Sequence, residues 1–195
     1  DDLVRVKYSK SETVSHRDEL QHDIAREALR LASVDRAIEI ISIADVPAGT
    51  GLGSSGCYAV GLLNALHTMN RNPIGIQTLA EQACSVEMEI LSKPVGKQDQ
   101  YMAAFGGLTI LDIGTDGKVT VSESTAPAAV LDDLQRNMLL FYTGQERSSL
   151  DILSEQSKGV TTKQSQVVDS MHRIKEMGYK IRELIEGGNL TSFEI

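Results

Sequence analysis

The 195-residue chain carries 19 Lys and Arg against 27 Asp and Glu, a formal charge of −8. That balance argues against a nucleic-acid partner or an anionic membrane surface, and no apolar run is long enough for a membrane helix. The length allows one domain or two small ones with real cores, and an anionic substrate would need positive groups concentrated locally.

Residues 3–14 read as a strand, with Val4 and Val6 on one face and Arg5 and Lys7 on the other. Residues 17–32 are helical, with Ile24, Ala28 and Leu31 on one side and Arg26 and Glu27 on a solvated face. His16 and His22 lie near one another without a partner cluster, so no metal role is expected of them. The alternating run from Ile38 through Ile40 and Ile41 to Ala44 is a strand. It feeds Pro47-Ala48-Gly49-Thr50-Gly51-Leu52-Gly53-Ser54-Ser55-Gly56. A helix then opens at Ser54 and Ser55, with Ala59, Leu62, Leu63, Leu66 and Met69 at helical spacing.

A second long helix is predicted over residues 76–91, with Leu79, Ala83, Val86 and Ile90 as its buried stripe. Glu87 lies beside that stripe, where a plain surface carboxylate is the alternative to any chemical role. Gly96 breaks the chain before a short helix over 98–105. Asp99 stands at its start, where an Asp can serve as an N-cap alone. Gly106-Gly107 ends it. Cys57 and Cys84 have no metal or redox spacing and read as small buried residues.

Residues 108–113 and 119–122 form a hairpin across Thr115-Asp116-Gly117. Thr125-Ala126-Pro127 is the expected domain boundary, giving domains 1–126 and 127–195. A short helix over 131–136 and an apolar strand over 138–142 follow. That strand ends in Thr143-Gly144-Gln145-Glu146-Arg147-Ser148-Ser149, where Ser148 can cap a helix running through Gln156. The last helix spans 162–186, with Val167, Met171, Ile174, Ile181 and Ile185 in one stripe. Lys163, Arg173, Lys175 and Arg182 form its wet face, and Gly187-Gly188 stops it. The chain starts at Asp1 with no initiator Met and no visible signal peptide. Residues 189–195 read like the entry to another helix, so both ends are expected to be cut.

The glycine-rich stretch is the chemical centre. Glycine lets the backbone take positive φ and approach a ligand closely. A turn of this kind leading into a helix N-terminus presents N–H groups at the positive end of a dipole, which suits phosphate. Gly51-x-Gly53-x-x-Gly56 is literally a dinucleotide fingerprint. However, Asn70-Arg71-Asn72-Pro73 and a further helix follow, instead of a strand with its acidic residue. A Walker loop fails as well, because Cys57 stands where Lys would be needed. A turn that only packs a helix close to a sheet remains the plain alternative.

Pro47-Ala48-Gly49-Thr50-Gly51-Leu52-Gly53-Ser54-Ser55 resembles the phosphate loop of the GHMP kinases. Lys93-Pro94-Val95-Gly96-Lys97-Gln98-Asp99-Gln100-Tyr101, followed by Phe105-Gly106-Gly107, supports the match and most resembles the D-glycero-D-manno-heptose 7-phosphate kinases. The resemblance runs from about Leu3 to Arg147. It implies an α+β fold in two halves with the site between them: an N-terminal half like the second domain of ribosomal protein S5 and a ferredoxin-like C-terminal half, both truncated here.

The resemblance also implies the chemistry. ATP would lie on Pro47, Gly49, Thr50, Gly51, Leu52, Gly53, Ser54, Ser55 and Gly56, and Mg2+ on Ser55 and Glu87. Asp99 would act as catalytic base or electrostatic partner of the substrate hydroxyl, with Lys97 steadying Asp99 or the transferred phosphoryl group. The implied reaction transfers the γ-phosphoryl group to the anomeric hydroxyl of a heptose 7-phosphate. Thr143, Gly144, Arg147 and Ser148 are the candidates for the substrate phosphate, since they join a strand end, a helix start and a guanidinium. The alternatives are a kinase for another sugar, or a GHMP-fold protein that binds a sugar phosphate or nucleotide without catalysis. A cytoplasmic protein with no nucleic-acid or membrane partner is expected, and the sequence leaves the oligomeric state open.

Overall fold

The computed structural model describes residues 1–46, 49–142, 144 and 149–190. The chain forms two compact units that divide after Gly107. The Thr125-Ala126-Pro127 segment therefore lies inside the second unit.

The first unit is built on a three-stranded sheet in the order β2-β1-β3. Strands β1 (Val4–Lys7) and β2 (Ser11–Val14) are antiparallel, and β1 runs parallel to β3 (Ile38–Ile41). The single strand expected over residues 3–14 is thus a hairpin. Its turn closes through the Tyr8 N–H donating to the Lys10 carbonyl at 2.8 Å. Alternation holds on β1: Val4 and Val6 are fully buried, while Lys7 is exposed and pairs with Glu39 across the sheet.

Helix α1 (Asp23–Leu31) starts later than expected, after a 3-10 turn at Arg17–Glu19. Its inward face is Ile24, Ala25, Ala28 and Leu29, and Leu31 points out at 44% exposure. Glu27 is not on the wet face either. It is buried and held by Arg26 and Arg30, whose guanidinium groups satisfy a carboxylate that could not otherwise leave water. His22 caps α1, its Nδ1 accepting the Ala25 N–H at 3.3 Å.

Helix α2 (Ser54–Met69) buries Ala59, Leu62, Leu63 and Leu66 as the spacing predicts, but Met69 is exposed. Cys57 is also exposed, against the expectation for both cysteines, and only Cys84 is buried. Helix α3 (Ile76–Cys84) passes into a π-helical turn over Ser85–Ile90, where one long helix over 76–91 was expected. The wider turn adds a residue to the helical frame, so Glu87 rotates into the core and Ile90 rotates out. Helix α4 (Gln98–Phe105) packs on both α2 and α3. Sheet, α1, α2 and α3 share one apolar core.

The second unit opens with the predicted hairpin, β4 (Thr109–Ile113) and β5 (Val119–Glu123). Helices α5 (Ala128–Asn137), α6 (Ser149–Thr161) and α7 (Ser165–Glu186) follow. Helix α5 is longer than expected, α6 runs past Gln156, and α7 begins after residue 162. The predicted strand over 138–142 is not one, because no described strand pairs with it; Leu139, Leu140 and Phe141 stand 81%, 83% and 78% exposed. The apolar stripe of α7 is likewise exposed at Met171, Ile174 and Ile181, and only Ile185 is buried. Gly187 and Gly188 close the helix as expected, with the Gly187 N–H on the Glu183 carbonyl at 2.9 Å. No helix of the described residues is long and apolar enough to cross a membrane.

Candidate active site

The glycine turn enters α2 through left-handed backbone. Gly49, Gly51 and Gly53 have φ of 78°, 79° and 69°, a region that a side chain strains. Gly53 is the N-cap, and its carbonyl accepts the first intrahelical bond from the Cys57 N–H at 3.0 Å. The N–H groups of Ser54, Ser55 and Gly56 fall in the first turn, where a helix offers them no carbonyl of its own. No acidic residue lies in that turn. Such an end suits an anion by geometry and by dipole.

Asp99 is brought to this end from another helix. A Cβ at Gly53 would stand 3.0 Å from the Asp99 Cγ and 3.3 Å from its Oδ2. A Cβ at Gly56 would stand 2.9 Å from the Asp99 Cβ and 3.1 Å from the Gln100 backbone nitrogen. The two glycines therefore make the space that lets the start of α4 press against the start of α2. Asp99 is not the N-cap of α4. Lys97 holds that position, and no side chain makes a capping bond there. The carboxylate is half-buried and faces the glycine turn instead.

Helix α4 is anchored from behind. The Tyr101 ring is 1% exposed, its hydroxyl accepts from Gln77 Nε2 at 2.9 Å, and Phe105 stacks on it. Burial, with Glu81 nearby, pushes the Tyr101 phenol up to about 12. Gln100 is 1% exposed, and its Nε2 donates to Glu87 Oε2 at 2.6 Å. Glu87 is itself fully buried, so the surface-carboxylate alternative does not hold. Its Oε1 has no hydrogen-bond partner among the described residues. A continuous path thus runs from Gly53 and Gly56 through Asp99 and Gln100 to Glu87.

Ser55 is exposed in the first turn of α2, and Lys97 is half-buried. Lys97 accepts from Tyr101 N at 3.2 Å through its carbonyl, and its charge opposes the burial that pushes the Cys84 thiol up to about 11. Thr50 and Ser54 are half-buried, while Gly51 and Leu52 are exposed. Pro47, Thr143, Arg147 and Ser148 lie outside the described residues. Gly144 is exposed with φ of 71°. Among the described residues no group of three or more His, Cys, Asp and Glu could hold a metal ion. Magnesium asks for less than that, since it binds through one or two carboxylates, nucleotide phosphates and water. A buried carboxylate with one orphaned oxygen fits such a role. Gln100 was the residue that sequence reading left without a role. Its signals were its place beside Asp99 in the motif that carries the resemblance, and Ala103 and Ala104 one turn on, which pack against the core.

Residues 20–107 match the family described as GHMP kinases N terminal domain. This chain carries a GHMP kinase N-terminal domain. Among curated proteins it is 31% identical over 141 residues to the D-glycero-alpha-D-manno-heptose 7-phosphate kinase of Campylobacter jejuni, covering 72% of this chain and 41% of that protein. It is 32% identical over 161 residues to the galactokinase of Pyrococcus furiosus, covering 71% of this chain and 42% of the other. The crystal structure of a D-glycero-D-manno-heptose 1-phosphate kinase from Bacteroides thetaiotaomicron superposes with a TM-score of 0.78 at 21% identity, over 97% of this chain and 59% of that one. The fold is the mixed α/β fold of these kinases. The chain spans about two fifths of the length of the curated relatives it matches.

Proposed function

We propose that the protein is a GHMP-family sugar kinase that uses ATP, and that its acceptor is a heptose 7-phosphate phosphorylated on the anomeric hydroxyl. The observation that carries the reading is the Asp99 carboxylate set against Gly53 and Gly56 at the start of α2. Phosphoryl transfer needs phosphates held in line and a group to orient or deprotonate the attacking hydroxyl. The glycine turn and the first-turn N–H groups of α2 hold the phosphates. Asp99 accepts the hydroxyl proton as the new oxygen–phosphorus bond forms and the bond from the γ-phosphorus to the bridging oxygen breaks, releasing ADP. Lys97 offsets charge beside Asp99.

Bound Mg2+ supplies charge neutralisation on the phosphate oxygens, and Ser55 with Glu87 would hold it. Thr143, Gly144, Arg147 and Ser148 are proposed for the acceptor's phosphate, which needs a local cation on a chain of charge −8. The two family halves are proposed to meet at 126/127, and the protein to act in the cytoplasm.

The test is ADP release by the whole protein with Mg-ATP and a panel of heptose phosphates, hexoses, mevalonate and homoserine. Turnover with a heptose 7-phosphate alone is expected. Nucleotide binding without ADP release on any acceptor would favour the non-catalytic binder instead. Preference for an unphosphorylated sugar would remove the heptose phosphate assignment. At the substrate site, losing a charged contact to phosphate costs about 1.5–3 kcal/mol. Arg147→Ala should therefore raise KM for the phosphorylated sugar roughly ten- to a hundredfold and leave its dephosphorylated counterpart unchanged.

A further inference from the structure

Two buried polar side chains, Glu87 and Gln100, meet in the middle of the first unit, 0% and 1% exposed. One hydrogen bond joins them, Gln100 Nε2 donating to Glu87 Oε2 at 2.6 Å. Each keeps an acceptor with no partner among the described residues: Oε1 of Glu87 and Oε1 of Gln100. The amide orientation is fixed by chemistry, because the flipped amide would set its carbonyl oxygen against a carboxylate oxygen. Two orphaned acceptors in one buried pair call for a cation or its bound water, since buried acceptors left unmade are costly.

We infer that Gln100 is a positioning residue that aims the Glu87 carboxylate at the metal, an inference that rests on the reading of Glu87 as the metal-directed carboxylate. The amide is suited to this in a way that Lys or Arg is not. It fixes one carboxylate oxygen and leaves the other without a partner among the described residues, and an uncharged amide brings no positive charge to compete with the cation. It also ties the metal carboxylate to the reacting end of the site, because Gln100 follows Asp99 on the first turn of α4. A metal placed by Glu87 and a proton acceptor on Asp99 are then set by one helix. Hydrogen-bond partners of metal ligands are typically worth ~10–100-fold in metal affinity.

The test uses the whole protein and two readouts. One is Mn2+ affinity in the presence of ADP, read by electron paramagnetic resonance, with Mn2+ standing in for Mg2+ as a similar oxygen-preferring ion. The other is the melting temperature without metal. Gln100→Met keeps the volume and removes the donor. Gln100→Asn keeps the amide and withdraws it by one methylene, and serves if the Met variant does not fold. Each is expected to weaken Mn2+ binding about 10–100-fold. The Gln100→Met, Glu87→Gln double variant should bind no more weakly than Glu87→Gln alone, because the first residue acts only through the second.

If Glu87→Gln weakens Mn2+ binding and both Gln100 variants leave it unchanged, the positioning role is overturned and the metal assignment survives. Fully additive losses also overturn it. If Glu87→Gln leaves Mn2+ binding unchanged, the metal assignment falls and the inference falls with it. A Gln100 effect on melting temperature alone reduces the residue to a packing role and overturns the proposal.

Discussion

Gly56 and Gly61 lie on the same helix, and the same substitution at each should have opposite effects. Replacing Gly by Ala inside a helix ordinarily stabilises by about 0.5–1 kcal/mol, because Ala loses less backbone entropy. At Gly61 nothing stands within 4 Å of the added Cβ, so the full gain is expected. At Gly56 the added Cβ falls 2.9 Å from the Asp99 Cβ, 3.1 Å from the Gln100 nitrogen and 3.2 Å from the Asp99 carbonyl carbon. Two of those atoms are backbone, so no rotamer change relieves the overlap and α4 must move. Overpacking of this kind costs about 1–3 kcal/mol. The helix preference is common to the two variants, so that overlap cost is what separates their stabilities. Chemical denaturation should show Gly61→Ala at a higher midpoint than wild type and Gly56→Ala at a lower one, with unchanged slopes. The displaced α4 carries Asp99 with it, so kcat of Gly56→Ala should also fall, by up to about 10² for a shift approaching an ångström. Equal stabilisation by both substitutions would refute the close approach of α4 to the glycine turn, and with it the placement of Asp99.

Asp99→Asn should lower kcat by roughly 10²–10⁴, the usual worth of general-base assistance, and leave ATP affinity nearly unchanged; a variant that keeps most of its kcat removes Asp99 from the chemistry. Ser55→Ala should raise the magnesium concentration needed for half-maximal rate without lowering the melting temperature, and an unchanged magnesium titration would take Ser55 out of the metal site. Burial holds the His22 imidazole below its ordinary 6.5, with Asp23 and Glu12 pulling it up and Lys93 pushing it down. The unfolded chain then takes up a proton that the folded chain refuses, so stability is fully present above 6.5 and is lost as pH falls from there through the depressed folded value. His22→Asn keeps a capping acceptor without the titration and should flatten that slope; melts at a series of pH values that stay as steep would exonerate His22. Glu27→Ala removes a buried side chain together with its hydrogen bonds from Arg26 and Arg30 and should destabilise by about 1–3 kcal/mol, against no change if Glu27 were on a wet face.

The elements that periodicity could read were those with a single buried face. Ala59, Leu62, Leu63 and Leu66 on α2 repeat at helical spacing and are all buried. Val4 and Val6 alternate on β1 and are fully buried. The errors occur where spacing was an insufficient guide. A hairpin and one strand of the same residues share the same alternation, so residues 3–14 could not reveal the turn at Tyr8. A π-helical turn leaves no mark in an apolar stripe, which is why Ile90 was predicted inside and Glu87 at the edge. The inward turn of Glu27 depends on Arg26 and Arg30, whose charges in sequence look like any solvated face. Residues 138–142 and the α7 stripe are apolar by composition, and composition does not say what covers them.

The site follows the same division. The glycine turn was readable because its requirement is local: positive φ followed by a helix start, both carried by adjacent residues. Asp99 and Glu87 were reached through resemblance, since the residues that bring them to bear lie on other helices. What the structure adds is a steric reason for the spacing. Gly53 and Gly56 are read first as residues that open the backbone to phosphate, but the atoms nearest their missing side chains belong to Asp99 and Gln100. The same two glycines thus serve both partners of the proposed reaction, leaving N–H groups open to the donor and a place for the carboxylate that meets the acceptor. A side chain at either would tax both functions at once. A pure phosphate cradle would be hurt in nucleotide affinity alone, so a kcat loss at Gly56→Ala that persists at saturating ATP, beside any loss of ATP affinity, is the signature of the second role.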